Sequence, residues 1–165
     1  MGGDIAAWCA LKGLHVTLQD KSYTQIAPAI ARAQKLYQKK LRKPRAIQMA
    51  MDHLIADPDG HGIARADVII EAVFENLEVK QTIMKEIEAR AKPDAIIATN
   101  TSSIPLEEIG EAMAKPQRLV GIHFFNPVAK MPLIEVIRGD KSSDEAVSTV
   151  YQLSKQIGKT PIVVK

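Results

Sequence analysis

The apolar segment "ADVIIEAV" at residues 66–73 limits most strongly what this chain can fold into. Its consecutive β-branched residues, Val68, Ile69 and Ile70, predict a strand buried on both faces, as the strands of parallel sheets are. The segments "AIIATN" (95–100) and "RLVGIHFF" (118–125) have the same character, and helical patterns separate the three. Strands that alternate with helices predict a doubly wound α/β sheet with right-handed crossovers.

The rest of the chain fits the same alternation. Gly13 ends a predicted helix over 5–11, and a helical hairpin is predicted over 24–53, broken near Pro44 because proline cannot continue the hydrogen-bond ladder. Further helices are predicted over 77–91 and 105–114, and a last one is capped by Ser143 or Asp144 and ended by Gly158. The other predicted strands are "HVTLQD" (15–20), "LIEVIRG" (133–139) and "TPIVVK" (160–165). No repeat or long linker divides the chain, so we expect one domain over 1–165.

Composition excludes several classes of function. The 165 residues, 46% hydrophobic and 25% charged, suit one globular core. A net charge of +3 from 22 basic and 19 acidic residues is too small to argue for a nucleic-acid partner. Cys9 is the single cysteine, which excludes a disulfide framework and a cysteine-rich metal site and suits a reducing compartment. No apolar run reaches the roughly 20 residues that span a bilayer, and no signal-peptide pattern is visible, so we expect an intracellular protein.

Polar residues follow the predicted strands where each strand ends. Asp20 closes the first strand, Glu75 follows the third, Asn100 and Ser102 follow the fourth, and His123 lies near the end of the fifth. In doubly wound sheets, ligands bind outside the carboxyl ends of the strands. The sequence therefore predicts a ligand site at this edge, and it lowers the odds that His123 is merely a core histidine.

The first residues, "MGGDIA", resemble half of a nucleotide-binding turn. If Gly2 is the third glycine of a G-x-G-x-x-G turn, Asp20 lies at the spacing of the acid that binds ribose hydroxyls, which favours NAD over NADP. The first strand and two glycines would then be missing, and we expect weaker NAD binding than a complete turn provides. The alternative is that Asp20 only supports a turn or a cap.

Four segments together resemble a known family in their order and spacing. "MGGDIA", "IIEAVFENLEVK", "ATNTSSI" and "GIHFFNPVAKMPLIEVI" are similar to the NAD-binding domain of the L-3-hydroxyacyl-CoA dehydrogenases of fatty-acid β-oxidation. The resemblance implies a Rossmann-type fold and the NAD-dependent oxidation of a 3-hydroxyacyl-CoA thioester to a 3-ketoacyl-CoA. It also implies a homodimeric parent enzyme or a multifunctional β-oxidation complex, in the bacterial cytoplasm rather than the mitochondrial matrix.

The resemblance also implies roles for individual residues. The catalytic positions are His123 as base, Glu135 as its carboxylate partner and Ser102 near the substrate oxygen; the cofactor positions are Gly2 at the pyrophosphate, Asp20 at the adenosine ribose, and Glu75, Lys80 and Asn100 along the cofactor. Members of the family continue into a helical domain that supplies dimer contacts and part of the acyl pocket. We therefore expect this chain to be an N-terminally incomplete NAD-binding domain of a larger enzyme, without that helical domain and inactive by itself.

The chemistry of alcohol oxidation accounts for the histidine and the glutamate independently. Hydride can leave the substrate only if the hydroxyl proton is also accepted, and neutral imidazole titrates in the right range to accept it. A fixed carboxylate stabilises the resulting imidazolium and selects the tautomer. The segment "FFNPVAKMP" is long enough to return the chain and bring Glu135 beside His123.

Several alternatives remain open at this level. Ser102 or Ser103 could cap the following helix, Lys80 could be a surface charge, and the basic run at 39–45 could be a solvated helix face or a landing site for coenzyme A phosphates. Two rival functions are a non-catalytic protein that kept the fold and a dehydrogenase of small hydroxy acids. The second needs a cationic clamp near the nicotinamide, and the site strands supply no suitable arginine. No metal-site pattern is visible, and hydride transfer needs none.

Overall fold

The computed structural model describes all residues from Met1 to Lys165 and confirms the predicted alternation of helices and strands. The helices are α1 (Gly2–Leu11), α2 (Tyr23–Lys40), α3 (Pro44–Asp52), α4 (Leu77–Arg90), α5 (Leu106–Gly110) and α6 (Asp144–Gln156). The strands are β1 (Val16–Leu18), β2 (Leu54–Ala56), β3 (Val68–Glu71), β4 (Ile96–Thr99), β5 (Leu119–Phe124), β6 (Leu133–Ile137) and β7 (Thr160–Val164). None of the helices combines the length and the apolar character needed to cross a membrane.

The chain divides into two compact units: residues 1–62 with 126–130, and residues 63–125 with 131–165. In the first unit, β1 and β2 form a two-stranded parallel sheet. Its core contains mostly small side chains, which let the helices approach closely: a Cβ on Gly3 would lie 2.6 Å from the Cβ of Ala29. The Tyr37 hydroxyl donates to the Ala7 carbonyl at 2.6 Å. Burial, with a smaller contribution from Cys9, raises the pKa of Tyr37 to about 12.

The predicted helical hairpin is confirmed as the pair α2 and α3. Proline restricts the residue before it to extended backbone, and Lys43 has φ −93° and ψ 128° accordingly. Pro44 then occupies the first position of α3, where its missing N–H costs nothing. The hairpin prediction ran to residue 53 and missed β2, which begins at the next residue.

In the second unit, five strands form one sheet in the order β3-β4-β5-β6-β7, and every neighbouring pair is parallel except β5 and β6. The residues that pack α4 and α5 with this sheet form one apolar cluster: Met84, Ile87, Ile97, Leu106, Ile109, Met113 and Leu119. Helix α6 packs against β4, β5 and β6. As predicted, Ser143 caps α6, accepting the Ala146 N–H at 3.0 Å, and Gly158 follows its end with φ +77°.

Helix α5 is shorter than the predicted range of 105–114, which was wrong beyond Gly110. The carboxylate of Glu88 on α4 accepts the N–H groups of Ala114 and Lys115 at 2.6 and 2.9 Å. Because these donors are engaged by a side chain, they are not available to a longer helix. Pro116 then disfavours helical backbone at the residue before it.

Gly121 on β5 allows a close approach between the antiparallel strands. A Cβ at this position would lie 2.6 Å from the Cβ of its register partner Ile137, closer than side-chain atoms pack. The Ile137 side chain therefore occupies space that any larger residue at 121 would need. This contact favours one register of β5 on β6.

We expect Gly121→Ala to lower the free energy of unfolding by about 1–3 kcal/mol, the usual cost of overpacking. Urea denaturation followed by circular dichroism measures the effect. Gly110→Ala is the matched control, because its nearest neighbour, the Cβ of Pro116, would lie 3.4 Å away. Equal stability of both variants would contradict the role given to Gly121.

Candidate active site

His123 and Glu135 lie directly opposite each other in the antiparallel ladder of β5 and β6. Opposed residues of a ladder project from the same face of a sheet, so the two side chains meet. Nδ1 of His123 lies 4.0 Å from Oε1 of Glu135, which is longer than a hydrogen bond. The side chains are 23% and 30% exposed, so both are accessible to a ligand while being held by the sheet.

Two further contacts fix the end of β5 around this pair. The ring of Phe125 lies 4.5 Å from the His123 ring between centroids, tilted by 48°. The side-chain oxygen of Asn100 accepts the Phe124 N–H at 2.9 Å. Strand β4 ends at Thr99, so the Asn100 amide extends the hydrogen bonding of β4 to the part of β5 that carries His123. Asn100 thus supports the backbone next to the histidine.

Ser102 is exposed on the segment after β4, and it is not a helix cap. Pro105 occupies the N-cap position of α5 without a side-chain cap bond, so the capping alternative for Ser102 and Ser103 was wrong. Ser102 lines a groove of about 370 Å³ whose other walls include Ile104, Glu107 and Ile137. Neither His123 nor Glu135 lines this groove.

Glu75 is exposed between β3 and α4 and is bound to the segment after β4. Its Oε1 accepts the Thr101 hydroxyl, the Ile104 N–H at 3.4 Å and the Ser103 hydroxyl at 3.5 Å. Partial burial alone would raise the pKa of Glu75. The Thr101 hydrogen bond, the charge of Lys80 and the backbone donors together outweigh it, so the pKa of this carboxyl is lowered. Glu75 is thereby held as an anion at the carboxyl edge of the sheet.

Lys80 is fully buried, so the surface-charge alternative was wrong. Its Nζ donates to both carboxylate oxygens of Glu71 at 2.8 and 3.0 Å, and Thr99 donates to the same carboxylate at 2.6 Å. Sequence reasoning missed Glu71 and Thr99. One signal was available: Glu71 is a charged residue in the interior of a strand predicted to be buried on both faces, and a buried carboxylate needs a cation or several donors.

In the first unit, Gly2 is the first residue of α1 and follows the N-cap residue Met1. Asp20 is exposed two residues beyond the short strand β1, rather than at its last position. Its carboxylate accepts the Lys21 N–H at 2.8 Å, a local turn contact. The remainder of this exposed carboxylate is accessible to ligand hydroxyls.

We expect Thr101→Val to raise the pKa of Glu75 toward its ordinary value, because the variant removes a hydrogen bond that favours the anion. A carboxyl ¹³C NMR titration measures this. Thr82→Val is the matched control, since the Thr82 hydroxyl donates to a helix carbonyl of α4. A Glu75 pKa that stays the same in Thr101→Val would argue against the assigned hydrogen bond.

Comparison with known proteins gives a consistent result over the whole chain. A family model described as 3-hydroxyacyl-CoA dehydrogenase, NAD binding domain, matches residues 1–165. The chain is similar to (S)-3-hydroxybutyryl-CoA dehydrogenase from Ralstonia eutropha, with 36% identity and a TM-score of 0.94 over 100% of this chain and 60% of that one.

Two further solved structures are similar. For 3-hydroxybutyryl-CoA dehydrogenase from Escherichia coli, the identity is 32% and the TM-score 0.92, over 99% of this chain and 35% of that one. For the dehydrogenase part of multifunctional enzyme 1 from C. elegans, the identity is 31% and the TM-score 0.89, over 99% of this chain and 38% of that one. The chain spans less than two thirds of the length of each of these three proteins.

Proposed function

We propose that this chain takes part in the oxidation of an L-3-hydroxyacyl-CoA thioester to a 3-ketoacyl-CoA. The chain belongs to the family of NAD-binding domains of 3-hydroxyacyl-CoA dehydrogenases. The observation that carries the proposal is the pair His123 and Glu135, opposed in one antiparallel ladder with 4.0 Å between Nδ1 and Oε1. Similarity to two 3-hydroxybutyryl-CoA dehydrogenases supports the choice of a thioester substrate. Bound NAD supplies the hydride acceptor.

His123 acts as the general base in this proposal. With its Nδ1 facing Glu135, a proton on Nδ1 leaves Nε2 as the acceptor for the substrate hydroxyl proton. The Glu135 carboxylate then stabilises the imidazolium that forms. The contact with the Phe125 ring limits rotation of the imidazole, and the bond from the Phe124 N–H to Asn100 limits displacement of the backbone next to it. Ser102, with its exposed hydroxyl, donates to or positions the substrate oxygen.

The residues proposed for the cofactor fit an anionic dinucleotide with free ribose hydroxyls. In the first unit, the exposed carboxylate of Asp20 can accept hydroxyl groups and repels a 2′-phosphate, which favours NAD over NADP. Gly2 begins α1, where free N–H groups and the helix dipole favour a pyrophosphate. In the second unit, the Glu75 carboxylate and the Asn100 amide lie at the carboxyl edge of the sheet, where this fold binds its ligands.

The basic run at 39–45 is proposed as a contact for the phosphates of coenzyme A. Its five cations, which are Lys39, Lys40, Arg42, Lys43 and Arg45, are all exposed. An exposed cluster of positive charges attracts a polyanion over a distance of about a Debye length.

We further propose that the reaction belongs to fatty-acid β-oxidation in the cytoplasm. The enzyme that carries out the reaction is proposed to be a homodimer or a multifunctional protein.

We expect His123→Gln to lower kcat by roughly 10²-fold or more, because the general base is removed, while NADH affinity stays unchanged. Reduction of acetoacetyl-CoA by NADH, assayed in the enzyme that carries this chain, measures the first quantity, and fluorescence titration measures the second. His61→Gln is the matched control, since this histidine is exposed and its ion-pair contact is to Asp59.

Two results would contradict the proposal. Loss of kcat and of NADH affinity by the same factor in His123→Gln would mark His123 as structural. Turnover of free acetoacetate as fast as of its thioester would exclude the acyl-CoA dehydrogenase and favour an enzyme of small hydroxy acids.

A further inference from the structure

The aromatic ring of Phe125 contacts the imidazole of His123. The two ring centroids are 4.5 Å apart, and the ring planes are inclined by 48°. Phe125 directly follows the last residue of β5 and comes two positions after His123. Residues at this spacing are about 7 Å apart along a strand, so the two rings lean toward each other.

The phenylalanine one position earlier lies in a different environment. Phe124 is 1% exposed and lies opposite Ile134 in the ladder, on the face of the sheet away from His123. Phe125 is only half-buried, beside an imidazole whose side chain is 23% exposed. Core packing accounts for Phe124, but it does not account for an aromatic ring held against a titratable group at the ligand edge.

The contacts of His123 engage different parts of the imidazole. The Glu135 carboxylate lies 4.0 Å from Nδ1, beyond hydrogen-bond distance, and the proposed reaction uses Nε2 for the substrate hydroxyl. Phe125 contacts the ring itself. A cation within about 6 Å of an aromatic centroid is attracted by the negative charge of the ring face, and a neutral imidazole is attracted much less.

We propose that Phe125 is a positioning residue that acts through His123: its ring stabilises the imidazolium, by a cation–π interaction, more than it stabilises the neutral imidazole. The proposal rests on the proposed function of His123 as the general base. In the oxidation, the hydroxyl proton moves to Nε2 while hydride moves from C3 of the substrate to NAD, so positive charge develops on the imidazole. An interaction that strengthens with this charge lowers the barrier.

The proposal predicts different effects in the two directions of the reaction. Oxidation forms the imidazolium, and reduction of the ketoacyl thioester uses it up. Weakening the cation–π interaction therefore slows oxidation without slowing reduction. A displaced imidazole would slow both directions by the same factor, so the ratio of the two single-turnover rates separates the two causes.

The test replaces Phe125 by mono-, tri- and pentafluorophenylalanine in the enzyme that carries this chain. Fluorination keeps the ring nearly the same shape and progressively removes negative charge from its face. We expect the single-turnover rate of L-3-hydroxybutyryl-CoA oxidation by NAD to fall stepwise, by roughly three- to tenfold in the pentafluoro variant. The rate of acetoacetyl-CoA reduction by NADH does not fall, and NADH affinity stays unchanged.

Each direction is measured where the reacting form of an ordinary imidazole predominates, at about pH 8.5 for oxidation and about pH 5 for reduction. Phe124 provides the matched control, because it is the same residue type one position earlier and packs in the core. Fluorination of Phe124 should leave the ratio of the oxidation rate to the reduction rate unchanged.

The outcomes distinguish this inference from the proposed function. Oxidation rates that stay constant or rise along the Phe125 series would overturn the cation–π interaction and leave His123 as the base. Loss of both directions by the same factor would also overturn it and assign Phe125 to packing. A wild-type enzyme that does not oxidise the thioester would overturn the proposed function itself.

If the fluorinated enzymes do not fold, two ordinary variants decide. Phe125→Tyr keeps an aromatic face and should retain the wild-type ratio of oxidation to reduction, whereas Phe125→Leu keeps only an apolar side chain and should lower the ratio by roughly three- to tenfold. Equal ratios in the two variants would overturn the proposal.

Discussion

The antiparallel pairing of β5 with β6 is the constraint on which the candidate site depends. A one-residue slip in this ladder would turn Glu135 to the opposite face from His123, because side chains alternate along a strand. The fully buried neighbours Ile122, Ile134 and Val136 set the register, at about 1.5–3 kcal/mol for each side chain removed from water. A partly exposed ion pair contributes about 1 kcal/mol or less. The buried apolar side chains therefore fix the strand register that brings His123 and Glu135 together. The contact between His123 and Glu135 contributes little to that register.

The same reasoning explains why the site's supporting contacts are mainly backbone contacts. Asn100 binds the N–H of Phe124, Glu75 binds the N–H of Ile104, and Glu71 binds the N–H of Val73. Each acceptor follows or ends a strand whose ladder has stopped. Polar side chains at this edge thus continue the hydrogen bonding of the sheet into the segments that carry the exposed groups.

Much of this arrangement was predictable from the sequence, because its signals are local. Consecutive β-branched residues predicted β3 and β4, and the segment between Phe124 and Leu133 was long enough to return Glu135 toward His123. The features that were missed depend on contacts distant in sequence. Helix α5 is short because Glu88 of another helix binds the N–H groups that a longer helix would use, and the buried Lys80 is paired with Glu71 at the end of β3. No periodicity within either segment contains that information.

Burial at this edge follows the demands of the proposed chemistry. Glu71 and Lys80 are almost completely buried, and burial strengthens their mutual attraction and their hold on Val73. In the proposed reaction His123 gains and loses a proton, and a fully buried imidazolium would carry a large desolvation cost. The His123 side chain is 23% exposed and lies 4.0 Å from the Glu135 carboxylate, so both solvent and a carboxylate are next to it. The groups that hold the backbone lie inside the protein, and the group proposed to change charge lies where water and ligand reach it.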